Sequence, residues 1–287
     1  MNNINEVVVI SGKGGTGKTS IVASVVPFIE GLVIADCDVD APDLNILFGE
    51  TVKESIEFIG TQKAYIDKAL CNDCGKCIDH CKFDAISDNF VVNNFKCEGC
   101  GVCEVVCKRG AISMVDTVVG SILISDTKYG EMVHGRLIPG EETSGKLVAQ
   151  VRNKAKELAA ANNIANVIID GSPGIACNVI SSITGAKKVV IVIEASLSGL
   201  HDLKRVYDVT KKFDTSASVI INKWDLSPEL SKEIESFCAS EAIQIDFKIP
   251  FDKVMVEAIA NKQIPSVYAP DFFENLNFKH VVKGWFL

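Results

Sequence analysis

The chain has 287 residues and a formal net charge of −8, and 47% of its residues are hydrophobic. A chain of this length can bury a substantial core in one large domain or in two. The negative charge argues against general binding to nucleic acids or anionic membranes, and no stretch approaches the about 18 consecutive apolar residues of a transmembrane helix. Because the first residues lead directly into a predicted strand, without a basic and apolar leader, we expect a cytoplasmic protein.

A glycine-rich loop near the N-terminus lies between an apolar run and a predicted helix. The apolar run covers residues 7–10, and the loop reads G-K-G-G-T-G-K-T over residues 12–19. The helix is expected from Lys18 to about residue 30, with its last turn open to kinking or shortening by Pro27. This is the context of a G-x-x-x-x-G-K-[ST] phosphate loop, in which backbone N–H groups and the helix N-terminus converge on phosphate oxygens. Lys18 would contact the β- and γ-phosphates, and Thr19 would bind Mg²⁺. The nucleotide-binding residues predicted here are Gly12, Lys13, Gly14, Gly15, Thr16, Gly17, Lys18, Thr19 and Ser20.

A second lysine, Lys13, follows the first glycine of the loop. This position resembles the deviant Walker A loop of the MinD, ParA, Mrp and nitrogenase-iron-protein ATPases. The resemblance implies that Lys13 crosses a dimer interface to the partner's nucleotide and acts in trans like an arginine finger. It therefore implies a homodimer, or a heterodimer with a related ATPase. A solvated loop lysine is the simpler alternative.

Two acidic segments follow apolar runs that predict strands. Asp36 and Asp38 follow the second run of the chain, and Asp170 begins the sequence D-G-S-P-G. In open α/β sheets, ligands bind at the carboxyl ends of the strands. By resemblance to the same ATPases, Asp38 would orient the attacking water, Asp36 and Asp170 would lie near hydrated Mg²⁺, and Gly174 would lie near the γ-phosphate. The resemblance thus implies the catalytic residues Lys13, Lys18, Asp38 and Asp170, and the magnesium residues Thr19, Asp36 and Asp170.

Eight of the eleven cysteines form two copies of one spacing, C-x2-C-x2-C-x3-C, over residues 71–81 and 97–107. Tandem copies are the bacterial ferredoxin pattern, in which each [4Fe–4S] cluster takes three thiolates from one run and the fourth from the other. C-x2-C pairs also bind zinc, but two regular runs of four cysteines favour clusters. Lys82 and Lys108 stand where ferredoxins usually have proline. The predicted ligands are Cys71, Cys74, Cys77 and Cys107 for one cluster, and Cys97, Cys100, Cys103 and Cys81 for the other.

The sequence N-K-W-D at residues 222–225 follows another apolar run. N-K-x-D is the guanine-reading pattern of GTPases, whereas in MinD-type relatives the equivalent asparagine, followed by a basic residue, reads adenine. The resemblance along the whole chain favours ATP. It implies that Asn222, Lys223 and Pro250 contact the base.

Three cysteines lie outside the two runs. Cys37, Cys177 and Cys238 are all expected to be small buried residues. Cys177 has an alternative, because it follows Asp170 at the spacing at which the nitrogenase iron protein has a cluster-binding cysteine. It could then present a thiolate at a dimer interface. The C-terminal residues 278–287 are slightly amphipathic, and we expect them to pack against the protein rather than to provide stable membrane anchoring.

Repeated strand–helix alternation predicts an α/β fold with a mostly parallel sheet and helices on both faces. A hairpin is expected from 118–124 and 131–138, and the segment 140–146 should begin a helix that ends near residue 162. The chain resembles MinD-superfamily P-loop ATPases that contain an inserted α+β ferredoxin-like domain, here 61–116, within an ATPase domain formed by 1–60 and 117–287. The resemblance implies ATP, Mg²⁺ and two [4Fe–4S] clusters as cofactors. The first hypothesis is an ATPase that couples its nucleotide state to electron transfer to a redox partner. The alternatives are a Mrp-type carrier for cluster or metal-cofactor assembly and a MinD-like positioning protein.

Overall fold

The computed structural model describes residues 4–141, 144–213 and 215–287, and for Ser144 only the backbone. The chain divides into two compact units. The first comprises Met1–Ser55, Ile122–Arg136 and Ser144–Leu287, and the second comprises Ile56–Ser121 and Leu137–Thr143. Residues 142 and 143 of the predicted helix-start segment lie outside the described residues.

The strands are β1 (Asn5–Ser11), β2 (Leu32–Asp36), β3 (Thr51–Ile66), β4 (Ile112–Thr127), β5 (Gly130–Leu137), β6 (Asn166–Pro173), β7 (Lys188–Glu194), β8 (Ser216–Asn222) and β9 (Gln244–Ile249). The helices are α1 (Lys18–Val25), α2 (Leu44–Phe48), α3 (Lys76–His80), α4 (Val102–Val106), α5 (Ser144–Ala161), α6 (Cys177–Ile183), α7 (Leu197–Lys211), α8 (Pro228–Ser240), α9 (Lys253–Ala260), α10 (Pro265–Tyr268), α11 (Pro270–Asn275) and α12 (Phe278–Gly284).

The strands form one sheet in the order β3-β4-β5-β2-β6-β1-β7-β8-β9. The neighbours β5-β2, β2-β6, β6-β1, β1-β7, β7-β8 and β8-β9 are parallel, which confirms the predicted α/β fold with a mostly parallel sheet. The central strands are nearly continuous valine and isoleucine, because helices cover a parallel sheet on both faces. The predicted hairpin corresponds to β4 and β5, which are adjacent in the sheet.

The first helix is shorter than the sequence predicts. It ends at Val25, and residues Val26–Phe28 form a 3₁₀ turn that contains Pro27. Proline has no backbone N–H and its ring clashes with the preceding turn, so the α-helix cannot continue through it. The turn closes with a hydrogen bond from the Ile29 N–H to the Val26 carbonyl at 3.2 Å.

The C-terminal residues pack within the first unit, as the sequence predicts. Phe278 and Val282 of α12 are fully buried, and Trp285 is nearly so. The Phe278 ring stacks on Phe247 of β9 with centroids 4.8 Å apart. None of the helices that the structure describes combines the length and apolar composition that a bilayer crossing requires.

The second unit contains an internal repeat. The five-residue helices α3 and α4 each follow a left-handed glycine, Gly75 with φ 77° and Gly101 with φ 73°. Ile86 pairs with Val92 in an isolated antiparallel bridge, and Ile112 begins β4. Ile86 and Ile112 are buried in one small hydrophobic cluster. Six of the cysteines belong to this cluster or pack against it.

A buried arginine joins α5 to β1 and to the end of α6 within the first unit. Arg152 Nη2 donates to Glu6 Oε1 at 2.9 Å. Its Nη1 donates to the carbonyls of Ser181 and Thr184 at 2.6 and 2.9 Å. Glu6 Oε2 also pairs with Lys156 Nζ at 2.6 Å, so loss of Arg152 leaves Glu6 Oε1 and the two carbonyls without their partner.

We expect Arg152→Ala to lower the free energy of unfolding of this unit by about 3–5 kcal/mol. Lys154→Ala is the control on the same helix, because its exposed pair with Glu157 at 3.6 Å should contribute at most about 0.5 kcal/mol. Urea unfolding followed by tryptophan fluorescence measures both, since Trp224 and Trp285 lie in this unit. Equal midpoints for the two variants would contradict the assigned role of Arg152.

Candidate functional site

The glycine-rich loop connects β1 to α1 in a conformation that depends on its glycines. Gly15 and Gly17 have φ of 80° and 91°, the left-handed region that favours glycine. A Cβ at Gly17 would also lie 2.5 Å from Asn222 Nδ2. A Cβ at Gly12 would lie 2.3 Å from Asp202 Cβ of α7. The loop therefore has room for no side chain at these two positions, and its backbone stays free to face a ligand.

The predicted switch and magnesium residues lie together at the carboxyl ends of the strands. Asp36 and Asp170 are opposite each other in the register of β2 and β6, and both are fully buried. Lys18 Nζ lies 2.5 Å from Asp170 Oδ1 and 3.8 Å from Asp38 Oδ2. The Thr19 hydroxyl donates to Asp170 Oδ2 at 2.7 Å. Asp170 thus contacts both Lys18 and Thr19, with Asp38 also near Lys18 and Asp36 opposite Asp170 in the sheet.

The charges of this group strongly influence one another. Burial, followed by the negative charge of Asp170, raises the pKa of Asp36. Burial also raises the pKa of Asp38 to about 6. For Lys18 burial acts to lower the pKa, but the neighbouring carboxylates, Asp170 above all, outweigh it and the pKa is raised. Carboxylates crowded in this way fit a divalent cation, since oxygen anions are the ligands that Mg²⁺ prefers.

The loop also contains a buried hydroxyl that lacks a hydrogen-bond partner among the described residues. The hydroxyl of Thr16 is buried and makes no hydrogen bond within the described part of the chain. Buried polar groups are almost always hydrogen-bonded in folded proteins. Its position in the phosphate loop fits a site that is completed by a ligand.

Lys13 is held by its own chain in this structure. Its Nζ donates to Ser198 Oγ at 2.9 Å and forms an ion pair with Glu194 at the end of β7. The hydrogen bond from Lys13 is the main cause of a lowered pKa for Glu194. Lys223 also approaches Glu194, with Nζ to Oε2 at 3.6 Å. A role for Lys13 in a partner's site would require it to leave Glu194.

A cavity of about 400 Å³ adjoins the glycine-rich loop and contains all three predicted base contacts. Asn222 Nδ2 donates to the Thr16 carbonyl at 2.7 Å, so β8 is tied to the loop. The residues of α9 that line one side of this cavity were not predicted from the sequence. The feature that could have indicated them is the apolar spacing within this short helix. The lining residues are Gly15, Gly17, Ser20, Asn222, Lys223, Pro250, Phe251, Asp252, Met255, Val256, Ile259 and Ala260.

The aspartate of the N-K-x-D sequence has a structural partner. Asp225 Oδ1 accepts a hydrogen bond from the Phe251 N–H at 2.6 Å. This bond connects the turn after β8 to the loop that carries Pro250. The carboxylate therefore supports the wall of the cavity.

The end of β6 and the residue that follows it are hydrogen-bonded to β1 and to the segment after β2. The Gly174 N–H donates to the Ser11 carbonyl of β1 at 2.8 Å. The Ser172 hydroxyl donates to the Cys37 carbonyl at 2.6 Å, and the Cys37 N–H donates to the Asp170 carbonyl at 2.8 Å. The two predicted switch segments are therefore directly hydrogen-bonded to each other.

The isolated cysteines differ from one another in exposure. Cys37 and Cys238 are buried as expected, and burial raises the pKa of Cys238 to about 11. The expectation that Cys177 is buried is wrong, because Cys177 is exposed. It is the first residue of α6, and that helix buries Val179 and Ile183 instead.

The eight remaining cysteines line two separate cavities in the second unit. Site 1 contains Cys71, Cys74, Cys77 and Cys107. Site 2 contains Cys81, Cys97, Cys100 and Cys103. Each set is one that the sequence assigns to a cluster, with three cysteines from one run and one from the other. Across residues 4–141, 144–213 and 215–287, no three His, Cys, Asp or Glu side chains are close enough to hold a single metal ion.

Comparison with known proteins gives a family and a fold. The family described as the CobQ/CobB/MinD/ParA nucleotide binding domain matches residues 7–266. The uncharacterized protein MJ0578 of Methanocaldococcus jannaschii is 34% identical over 262 residues, which cover 90% of this chain and 89% of that protein. A solved structure of the septum site-determining protein MinD from Pyrococcus horikoshii, complexed with Mg-ADP, has a TM-score of 0.56 and 15% identity, and covers 98% of this chain and 95% of that chain.

A shorter similarity involves a protein of a different kind. The pyruvate synthase subunit PorD of Methanothermobacter marburgensis is 35% identical over 66 residues, which are 23% of this chain and 82% of PorD.

Proposed function

Because the chain belongs to the CobQ/CobB/MinD/ParA family of nucleotide-binding domains, we propose that it is an ATPase that carries two [4Fe–4S] clusters. In this proposal, the protein couples its nucleotide state to electron transfer to a redox partner. The iron–sulfur part of the proposal rests on one observation. Each of the two cysteine sites contains three cysteines of one run and the fourth cysteine of the other run. This exchange is characteristic of two-cluster ferredoxins. The shorter similarity to a pyruvate synthase subunit also favours a redox context.

The residues of the first unit suit ATP hydrolysis in named roles. Lys18 would neutralise phosphate charge, and Asp38 would orient the attacking water. Thr19, Asp36 and Asp170 would hold Mg²⁺, which neutralises the phosphates when it is bound. Gly174 would contact the γ-phosphate. Lys13 would act on the nucleotide of a second subunit, either identical or related.

The base cavity supports adenine rather than guanine. Guanine readers use the aspartate of N-K-x-D as a hydrogen-bond acceptor for the base. Here Asp225 already accepts the Phe251 N–H and is not among the residues that line the cavity. Asn222, Lys223 and Pro250 remain to contact the base, with α9 providing an apolar wall.

The cysteine sites fit clusters better than they fit single ions. C-x2-C pairs also bind zinc, but two tandem runs of four cysteines with this spacing are the pattern of two-cluster ferredoxins. When bound, such a cluster accepts and releases one electron. The chain's contribution is the four thiolates and the hydrogen bonds to them.

The order of segments along the chain supports coupling. The proposed ferredoxin domain, 61–116, departs from the ATPase after Asp38 and returns before Asp170. Both junctions therefore lie between the two segments that would sense the γ-phosphate. Ordering and release of such segments on hydrolysis is an established way to transmit nucleotide state.

Metal and nucleotide analysis of protein purified without oxygen tests the proposal. We expect about eight irons and eight sulfides per chain, no zinc, and one bound nucleotide per chain that ATP displaces better than GTP does. Aerobic samples from the same preparation, treated with chelator, provide the control without clusters. Zinc in place of iron, or a preference for GTP, would refute the corresponding part of the proposal.

The exposure of Cys177 favours one alternative, a Mrp-type carrier that assembles clusters or metal cofactors. A carrier needs a labile cluster besides the two enclosed ones. It would bind more than about eight irons when it dimerises with ATP, and the Cys177→Ser variant would lose the excess. An iron content that does not change on dimerisation would exclude this alternative.

A further inference from the structure

The internal repeat of the second unit allows its two cysteine sites to be compared position by position. Lys76 at site 1 corresponds to Val102 at site 2, because each is the first residue of its helix. Arg109 corresponds to Phe83, because each lies two residues after the fourth cysteine of its run. Asn72 corresponds to Glu98, because each directly follows the first cysteine of its run. All six residues line their respective cavities.

We propose, building on the proposed function, that Lys76, Arg109 and Glu98 make the two clusters unequal electron acceptors. The first electron to enter the protein would rest at site 1, and site 2 would hold an electron only at lower potential. A low-potential one-electron donor supplies each electron, and reduction changes a cluster from [4Fe–4S]²⁺ to [4Fe–4S]¹⁺ without forming or breaking a bond to the protein. Positive charge nearby stabilises the reduced state, which is the more negative one, and an acid destabilises it.

Charge is the determinant that differs most between the sites. Cluster potentials depend on cluster type, hydrogen bonds to sulfur, solvent exposure and net charge. The backbone hydrogen bonds to sulfur match, since Ala85 N–H donates to Cys81 Sγ and Ala111 N–H donates to Cys107 Sγ, both at 3.4 Å. The exposure is similar, since one cysteine of each site, Cys74 and Cys100, is exposed.

Two differences oppose this order. Asp73 Oδ1 lies 3.5 Å from Cys71 Sγ at site 1, and Cys77 is slightly more buried than its counterpart Cys103. With Asp73 included, site 1 still has two cations and one acid. Among the described residues that line site 2, apart from the cysteines, the charged residue is the acid Glu98 and there is no cation. The balance of charge therefore favours an electron at site 1.

One charge of each helix and one of each following turn match in sign between the runs, whereas Asp84, next to Phe83 of site 2, has the uncharged Gly110 as its counterpart. Asp79 on α3 is matched in sign by Glu104 on α4, and Lys82 is matched by Lys108. Near site 2, Lys63 forms an ion pair with Glu141 at 2.7 Å, which is neutral as a pair. Lys76, Arg109 and Glu98 are all exposed, so salt should screen their effect, with a Debye length of about 3 Å at 1 M.

Anaerobic redox titration of the holoprotein, read by electron paramagnetic resonance, tests the proposal. We expect two one-electron waves whose reduced-to-oxidised ratios differ by about tenfold at a given potential, which corresponds to about 59 mV. The double variant Lys76→Val, Arg109→Phe gives site 1 the residues of site 2 and should lower the higher wave alone. Glu98→Asn should raise the lower wave alone. In native protein, 1 M salt should bring the waves together.

Asp88→Asn is the matched control, because Asp88 is exposed and is not among the residues that line either site. It should leave both waves in place. Coincident waves in native protein, or a double variant that moves the lower wave, would overturn this inference while leaving the clusters themselves established. A protein with no iron and no resonance signal would instead refute the proposed function, so the two failures are distinguishable.

Discussion

Lys18→Ala is expected to abolish nucleotide binding, whereas Lys13→Ala should bind nucleotide normally and fail to hydrolyse it. Lys18 is buried and has Asp170 and Asp38 as neighbours in its own chain. In the proposed complex Lys18 pairs with the nucleotide phosphates, and truncating one partner of such a buried charge pair costs about 2–5 kcal/mol, so its loss should weaken nucleotide binding at least about thirtyfold. Lys13 lies at the protein surface beside Glu194, where it can be released to a partner. Residues that act in trans in this way contribute roughly a thousandfold or more to the rate of hydrolysis.

Calorimetric titration with ADP, together with single-turnover hydrolysis and gel filtration in ATP, separates the two roles. Lys232→Ala removes an exposed lysine of α8 and should behave like the native protein in all three measurements. Normal turnover by the Lys13 variant would contradict a role in trans. Loss of nucleotide affinity in that variant would place Lys13 in its own subunit's site instead.

The iron lost from a variant with two cysteines replaced is expected to depend on whether the two cysteines share a site, and not on whether they share a run. Each of Cys81→Ala and Cys97→Ala should lower the iron content from about eight to about four per chain. Because both line site 2, the double variant should also keep about four. Cys77 precedes Cys81 in the same run but lines site 1, so Cys77→Ala with Cys81→Ala should leave almost no iron.

The double variants are the decisive samples in this series. A loss of iron that follows the runs would mean that each cluster takes all four ligands from one run, and the assignment of Cys81 and Cys107 would be wrong. Cys177→Ala, which removes an exposed cysteine outside both sites, should retain about eight irons.

The sequence predicts well those parts of the site that depend on local motifs at the ends of strands. Asp36 and Asp170 follow apolar runs, and adjacent parallel strands bring their carboxylates together. The loop between β1 and α1 is recognisable because its glycines adopt backbone conformations that other residues avoid.

The sequence does not predict contacts that depend on how distant elements pack. The pairing of Lys13 with Glu194 joins residues far apart in the chain, and no local pattern indicates it. The bond between Asp225 and Phe251 is of the same kind. Cys177 was expected to be buried because cysteine usually is, but its place at the start of α6 exposes it. The apolar wall from α9 was missed because a helix of eight residues gives only a weak periodic signal.

Redox titration in two nucleotide states measures whether the nucleotide and the clusters are coupled. Asp38→Ala should trap an ATP-bound dimer, because water activation is lost while the residues proposed for Mg²⁺ remain. The potentials of this variant should differ between ADP and ATP, and by linkage reduction should change nucleotide affinity by the same free energy. A shift of about 30 mV for a one-electron couple corresponds to about 0.7 kcal/mol. Potentials that coincide in ADP and ATP, with a nucleotide affinity that does not respond to reduction, would show that nucleotide and clusters are not coupled.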